Sequence, residues 1–520
     1  MRVLFVYTVE VPQSDSKPIA LLEWIQFGIS YISSYLKENG HETRLLMLSH
    51  KSPFELIDTF VQEFKPDLVG FTSVSSEYIF VEKVGQYIKK RYPNIFLLIG
   101  GAHVSLAPEE GMLETFNALC IGEGEEPTLE LVTRLESGKS LSDIPNLWIN
   151  IDGVIQRNLP RSFLEDLNSL PFPDRTMWQE WVNTDFRLDK FRPSVLLGRG
   201  CPFICSYCSN HSLKKLATGN YVRLRSPESI VNEIKSIMSL YPNTEEIYLE
   251  IETFGADLEW AEILCSMLEK LNSTINKPIH FGVNLRIFPN LVLKLDALFK
   301  QLQIANFRFI NIGLESGSER VRRDVLRRVY SNNDVIRAVG SARKFGLKVY
   351  FFNLIGLPSE TIKEFNETIH MNKLCSPDHH MTSIFYPYPG TDLYELCDEQ
   401  GVIPETHLSS GMERVKADLD FPQFRKGQIQ KAYIWFDYYV YLGQKPISQL
   451  AKRVLEQYFT VYKGKTRLLL AFIFLRDVLS PALQLDKSYQ EYKVIFGIIP
   501  AVMLELKENN ISKLIYKFRK

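Results

Sequence analysis

Residues 199–210 read RGCPFICSYCSN. Three of the chain's seven cysteines, Cys201, Cys205 and Cys208, fall here in a C-x3-C-x2-C spacing. A structural zinc site takes four ligands, usually as two separated pairs. Here there is one triplet, and Cys120, Cys265, Cys375 and Cys397 are scattered along the chain. A [4Fe–4S] cluster normally takes four thiolates. Three thiolates leave one iron open, free to bind a substrate or cofactor and to pass it an electron. A zinc knuckle completed by His211 is the alternative that the spacing leaves open. An odd number of cysteines in a long chain argues against a disulfide framework. With a start, MRVLFVYTVE, that runs straight into a strand pattern, this points to a reducing, cytoplasmic setting.

The elements that must position the triplet follow from hydrophobic pattern. From Ser194 onward, strand patterns at 194–199, 245–254, 279–288, 307–315, 349–358 and 381–389 alternate with helical ones. SPESIVNEIKSIMSLYP (226–242) opens on a serine cap followed by proline. Six βα units are too few to close an eight-unit barrel, so a partial (β/α)6 TIM-like barrel is expected, with its site at the carboxyl ends of the strands. The triplet follows the first of these strands, which is that end.

Ahead of the barrel, strand patterns at 3–9, 42–48, 67–74, 95–102 and 118–123 alternate with helical ones. Apolar strands joined by helices give a parallel sheet covered on both faces, here a doubly wound, flavodoxin-like α/β domain. Its ligand site lies beyond the strand carboxyl ends. The residues there are small and polar: Ser73 and Ser75; Gly100, Gly101 and His103; Gly122, Glu123 and Gly124. NLWINIDGVIQRN reads as a hairpin turning at Asp152-Gly153, followed by a proline-rich connector, LPFPDRTMW. The expected domains are 1–140, a linker with hairpin at 141–192, the barrel at 193–400 and a helical region at 401–520.

The triplet, with Tyr207 as the aromatic before the last cysteine, resembles the radical S-adenosylmethionine (radical SAM) superfamily. YVRLRSPESIVNEI (221–234), NIGLESGSERV (311–321) and NLIGLPSET (353–361) are similar to later stretches of that family. The resemblance implies that S-adenosylmethionine chelates the open iron and yields a 5′-deoxyadenosyl radical. Gly313 and Glu315 would approach the cofactor, and Gly356 and Pro358 would lie near its adenine. An acid such as Glu250, Glu252 or Glu315 suits ribose hydroxyls or the methionyl ammonium, and Arg286 suits its carboxylate. Strand two departs from the pattern: Ile251 and Glu252 stand where two acids are frequent.

GFTSVSSEY (70–78), IGGAHVSLAPEE (99–110), CIGEGEEPTLEL (120–131) and FYPYPGTDLYE (385–395) resemble the cobalamin-dependent branch, so the first domain is expected to bind cobalamin. There is no Asp-x-His-x-x-Gly, and VEVPQSDSKPIA contains no histidine, which implies cobalt without a lower histidine ligand. Backbone amides and the Ser73 and Ser75 hydroxyls would hold the nucleotide tail and corrin amides. His103 would contact the corrin edge or be an ordinary loop histidine.

The expected reaction is transfer of a methyl group from methylcobalamin to an unactivated carbon of a small-molecule or lipid-like substrate. Ring cyclisation or contraction is the alternative, and a non-catalytic cobalamin-binding regulator with structural zinc is the reading from another class. Asn284, Tyr386 and Tyr388 are candidates for lining the substrate pocket. A flavodoxin- or ferredoxin-type reductant is implied by the electron the cluster needs. Net charge is −1, which gives no whole-chain footprint for nucleic acid. Residues 421–520 nevertheless carry 17 Lys+Arg against 7 Asp+Glu, with aromatics interleaved. That face either caps the active site or makes peripheral contact with an anionic membrane. No apolar run is long enough to span a bilayer.

Overall fold

Five of the apolar runs near the amino terminus become β1 (Arg2–Val9), β2 (Glu42–Ser49), β3 (Leu68–Thr72), β4 (Phe96–Gly100) and β5 (Ala118–Cys120). The structure, a computed structural model, describes residues 1–9, 25–52, 54–111, 113–182, 192–405, 407 and 413–462. The five strands lie parallel in the order β2-β1-β3-β4-β5. Residues such as Val3, Leu4, Leu97 and Ile99 are buried completely, as strands covered on both faces require. Chain order reverses about β1, so the switch point between β1 and β3 opens at the carboxyl ends, beside the loops carrying Ser73, Gly101 and Gly122.

The hairpin assigned to the linker belongs instead to this sheet. β6 (Leu147–Ile151) pairs antiparallel with β5, and β7 (Val154–Arg157) pairs with β6, making seven strands. Asp152 and Gly153 both have positive φ, the requirement of a tight turn between twisted strands. The connector that follows is anchored to the first core. Trp178 is fully buried and donates Nε1 to Ser30 Oγ at 2.8 Å, and Trp181 Nε1 reaches the Leu45 carbonyl at 3.1 Å.

The second sheet contains β8 (Ser194–Leu196), β11 (Glu246–Glu250), β12 (His280–Leu285), β13 (Phe307–Glu315), β14 (Lys348–Ile355) and β15 (His379–Ile384), in that order. The pairs β8–β11, β11–β12 and β12–β13 are parallel. Between β8 and β11, β9 (Gly198–Arg199) and β10 (Arg223–Leu224) form a short antiparallel ribbon. The helix Pro227–Leu240 starts as its sequence demands: Ser226 accepts from the Ser229 amide and Pro227 opens the first turn. Tyr248 Oη donates to Asn284 Oδ1 at 2.5 Å, and Asn311 Nδ2 donates to both. This polar ladder links β11, β12 and β13. Below it, the Tyr248 and Phe309 rings lie parallel 6.1 Å apart across Gly282, where a Cβ would collide with Phe309.

The contacts divide the chain into two compact units. One holds Met1–Gly313, Leu326–Phe351 and Pro387–Gly411. The other holds Leu314–Val325, Phe352–Tyr386 and the later residues, of which 413–462 are described. The second unit includes the helices Lys426–Tyr441 and Ile447–Val461, joined by Trp435 Nε1 donating to Tyr458 Oη at 3.0 Å. Most of the basic carboxyl-terminal region, residues 463–520, lies outside the described residues, as does most of the first loop, VEVPQSDSKPIA. Among the described residues no helix is long and apolar enough to cross a membrane.

Candidate active site

The cysteine loop hangs from the β9–β10 ribbon. Gly200 has φ 86, and a Cβ there would strike the Tyr221 carbonyl, so only glycine turns the chain into Cys201. Cys208 stands just before the helix Ser209–Leu213, and its amide donates to the Cys205 carbonyl at 3.2 Å. Cys205 is buried, Cys201 and Cys208 are half-buried, and all three are free thiols. Burial, with the Glu252 carboxylate acting in the same direction, lifts Cys201 to about 11 and Cys208 to about 12. Thiolates in this loop therefore call for a cationic core to bind. Among the described residues no three His, Cys, Asp or Glu side chains could hold a single metal ion together. A cubane gives each thiolate its own iron, so its ligands need not meet at one point. His211, which would complete a zinc knuckle, is directed elsewhere: its Nε2 lies 3.6 Å from Asp392 Oδ2.

Charged groups surround the loop. Arg286 Nη1 lies 2.6 Å from Cys205 Sγ, and its guanidinium stacks 3.8 Å from the Phe203 ring centroid. Arg286 Nε is buried and has no hydrogen-bond partner among the described residues. Thr253 fixes the Arg286 backbone by accepting its amide at 3.0 Å. Glu252 is exposed by area, yet desolvation raises its pKa, a combination that a concave site produces. Asn210 donates to that carboxylate and accepts from Tyr221 Oη at 2.7 Å. Glu250 ends β11 opposite Leu196. From outside, Leu393 N donates to the Ser206 carbonyl at 3.1 Å, while Asp392 pairs with Lys215 and Arg327.

Tyr207 reaches the end of β13 through a residue the sequence reading missed. Arg328 Nη1 donates to Tyr207 Oη at 2.9 Å and Nη2 to the Gly313 carbonyl at 3.0 Å; Tyr330 Oη adds a third bond at 2.8 Å. Of the residues chosen for the substrate pocket, Asn284 is committed to the interstrand ladder, and Tyr386 is buried.

The second unit holds Glu315, Gly356 and Pro358. Glu315 closes β13 with φ 58, a left-handed conformation uncommon for a side chain of its size. Gly356 has φ 75, and a Cβ would lie 2.8 Å from Ile429 Cγ2. Glu360, also missed, is fully buried and accepts the Gly356 and Leu357 amides at 2.7 and 3.1 Å. It therefore shapes the turn that leads into Pro358, which is itself buried.

In the first domain a cavity of about 230 Å³ opens at the strand carboxyl ends, lined by Gly70, Gly100, Gly101, Gly122, Gly124 and Arg199 among others. Its wall is mainly backbone and apolar side chain, which suits a flat aromatic group such as the nucleotide base of cobalamin. At two of these glycines a side chain would collide: a Cβ at Gly124 would lie 2.8 Å from Ile32, and one at Gly101 2.7 Å from the Ser73 amide. Ser73, Ser75 and His103 are not among its lining residues. Ser73 gives its amide to the Gly100 carbonyl, and Ser75 Oγ pairs with His103 Nδ1 at 3.2 Å. His103 is only 2 % exposed, packs against the Tyr78 ring at a tilt with centroids 4.2 Å apart, and is pushed down to about 4 by burial, which favours the neutral imidazole. The Glu123 carboxylate is likewise committed, to Arg223 and Arg199.

Comparison with known proteins agrees with this arrangement. Residues 195–371 match the model of the radical SAM superfamily, and residues 20–132 match that of the B12 binding domain. An uncharacterized methyltransferase of Pyrococcus horikoshii is 28% identical over 405 residues, covering 76% of this chain and 83% of that protein. The anaerobic magnesium-protoporphyrin IX monomethyl ester cyclase of Rubrivivax gelatinosus is 23% identical over 406 residues, covering 76% and 70%. Among solved structures, the cobalamin-dependent S-adenosylmethionine radical enzyme OxsB with aqua-cobalamin and S-adenosylmethionine bound superposes with a TM-score of 0.66. That match covers 99% of this chain and 81% of OxsB, at 14% identity. The chain is a radical SAM superfamily enzyme with an amino-terminal B12-binding domain. That class works with a [4Fe–4S] cluster, S-adenosylmethionine and cobalamin.

Proposed function

We propose that the protein is a cobalamin-dependent radical SAM methyltransferase acting on an unactivated carbon of a small-molecule or lipid-like substrate. The observation that carries this reading is the union, in one compact unit, of a three-thiol loop bordered by Arg286 and Glu252 with a glycine-lined cavity in the B12-binding domain. When bound, the three groups would supply a reductively cleaved sulfonium and a transferable methyl group. Cys201, Cys205 and Cys208 hold the cluster. Arg286 balances thiolate charge and offers its remaining N–H groups to a carboxylate. Glu252 and Glu250 suit an ammonium or ribose hydroxyls. Gly313 in one unit, and Glu315, Gly356 and Pro358 in the other, stand at or just beyond strand ends, each a position suited to close approach of a nucleoside. Gly100, Gly101, Gly122 and Gly124 let the cobalamin tail approach the sheet. Electrons come from a flavodoxin- or ferredoxin-type reductant.

The test needs no substrate. Anaerobically reconstituted full-length protein, given hydroxocobalamin, reductant and deuteromethyl S-adenosylmethionine, should form cobalamin carrying the labelled methyl group and release 5′-deoxyadenosine. The similarity to a cyclase supports a second reading, ring formation without methyl transfer. Release of 5′-deoxyadenosine with no labelled cobalamin and no label in any product would favour it. One zinc per chain in place of about four irons would favour the non-catalytic regulator.

A further inference from the structure

Glu123 lies in the loop after β5, between Gly122 and Gly124, and lines the cavity. Its carboxylate accepts Arg223 Nη1 and Nη2, both at 2.9 Å, Arg199 Nη1 at 3.0 Å and the Leu164 amide at 3.0 Å. Arg199 Nη2 also reaches Glu125 Oε1 at 2.5 Å, and its guanidinium lies 5.3 Å from the Tyr31 ring centroid. Arg199 is itself part of the cavity wall. In sequence it stands two residues before Cys201.

Arg223 faces Arg199 across the β9–β10 ribbon. That ribbon has little freedom, since Gly198 and Gly200 each press backbone against backbone of the 221–224 segment. The two arginines hold the Glu123 carboxylate well below its usual range, at about 2, against the cost of its burial. One side chain thus borders the cavity and anchors, through a stiff ribbon, the backbone that presents the first thiol.

We propose that Glu123 is a positioning residue that couples the two cofactor sites, so that cobalamin in the cavity and a cluster on the Cys201–Cys208 loop each favour the other through Arg199. The inference rests on assigning the cavity to cobalamin and the loop to the cluster. A ligand that packs on Gly122, Gly124 and Arg199 orders the wall that fixes Gly200. A cluster that fixes Cys201 orders the same wall from the other side. Linkage makes the two effects equal. A passive salt bridge would stabilise the fold without coupling the sites.

The experiment titrates hydroxocobalamin into metal-free and cluster-reconstituted full-length protein, wild type and E123Q, following the visible spectrum of bound cobalamin. Wild type should bind at least about fivefold more tightly when the cluster is present. In E123Q the two affinities should converge while both groups still bind. R199K repeats the comparison if E123Q does not fold, and its ratio should also fall towards one. Equal affinities in wild type, or a ratio in E123Q unchanged from wild type, overturn the proposal. Lower affinity in both forms at a preserved ratio marks a merely structural bridge and overturns it too. Wild type that binds no cobalamin in either form refutes the cavity assignment beneath it.

Discussion

Arg286 Nη1 donates to Cys205 Sγ at 2.6 Å from a guanidinium clamped on the Phe203 ring. Hydrogen bonds to cluster sulfurs stabilise the reduced, more negative state and so raise its reduction potential. Removing this donor in R286Q should lower the midpoint potential by on the order of 50 mV, about a tenfold change for one electron. R286K keeps the charge but not the planar fork, and should fall between the two. An anaerobic redox titration followed by electron paramagnetic resonance reads the shift. An unchanged potential in R286Q would show that Cys205 does not ligate the cluster on the arginine side.

Gly200 gives a second prediction. Its φ of 86 and the Tyr221 carbonyl in the path of any Cβ make G200A strained twice over. The expected cost is about 2 kcal/mol or more, concentrated in the ribbon that carries Cys201. Iron uptake should fall to near that of a Cys201→Ala variant, while cobalamin binding weakens less. Iron analysis beside a cobalamin titration separates the two. Normal iron content in G200A would mean that the loop is not held by the ribbon.

These positions differ in how far sequence alone could find them. The cysteine spacing, the parallel strands and the Ser226–Pro227 helix start are local patterns, and each is where it was expected. The pairing of β6 with β5 is not local: a hairpin looks the same whether it ends a linker or extends a sheet. Arg199 and Arg223 meet Glu123 across 76 and 100 residues, a distance over which periodicity carries no signal. Arg328 closes a chain from Tyr207 to Gly313 in the same way. Ser73, Ser75 and His103 follow strand ends, but Ser75 and His103 bond to each other, the Ser73 amide bonds to Gly100, and the cavity is lined by the neighbouring glycines instead. Glu360 was within reach, since it stands four residues after Gly356. Its role needed the knowledge that the turn exposes two amides to it.

Cys120 offers a direct probe of the cavity. It is buried in the cavity wall, and burial pushes its thiol up to about 12. At neutral pH only about one thiol in 10⁵ is then ionised, so alkylation should be slow and should accelerate about tenfold per pH unit. Hydroxocobalamin should protect it further by filling the cavity. Mass spectrometry of protein treated with iodoacetamide, with and without hydroxocobalamin, measures both effects. Equal labelling of Cys120 in the two samples would place cobalamin elsewhere.

Glu360 makes stability depend on pH in a definite direction. Full burial raises its carboxyl to about 8, with the Gly356 and Leu357 amides pulling the other way. A folded pKa above the unfolded value of about 4.3 means that the protonated form is favoured by folding. Its contribution is therefore fully present below about pH 4 and is lost progressively up to about pH 8, beyond which the loss is complete. E360Q keeps an acceptor for both amides and cannot ionise. Its thermal midpoint should therefore gain on wild type as pH rises from 5 to 8 and hold that gain at pH 9, by an amount equivalent to a few kcal/mol at most. Thermal scans of both proteins across that range test this. Parallel pH profiles would mean that the Glu360 carboxylate is ionised throughout, held by the two amides alone.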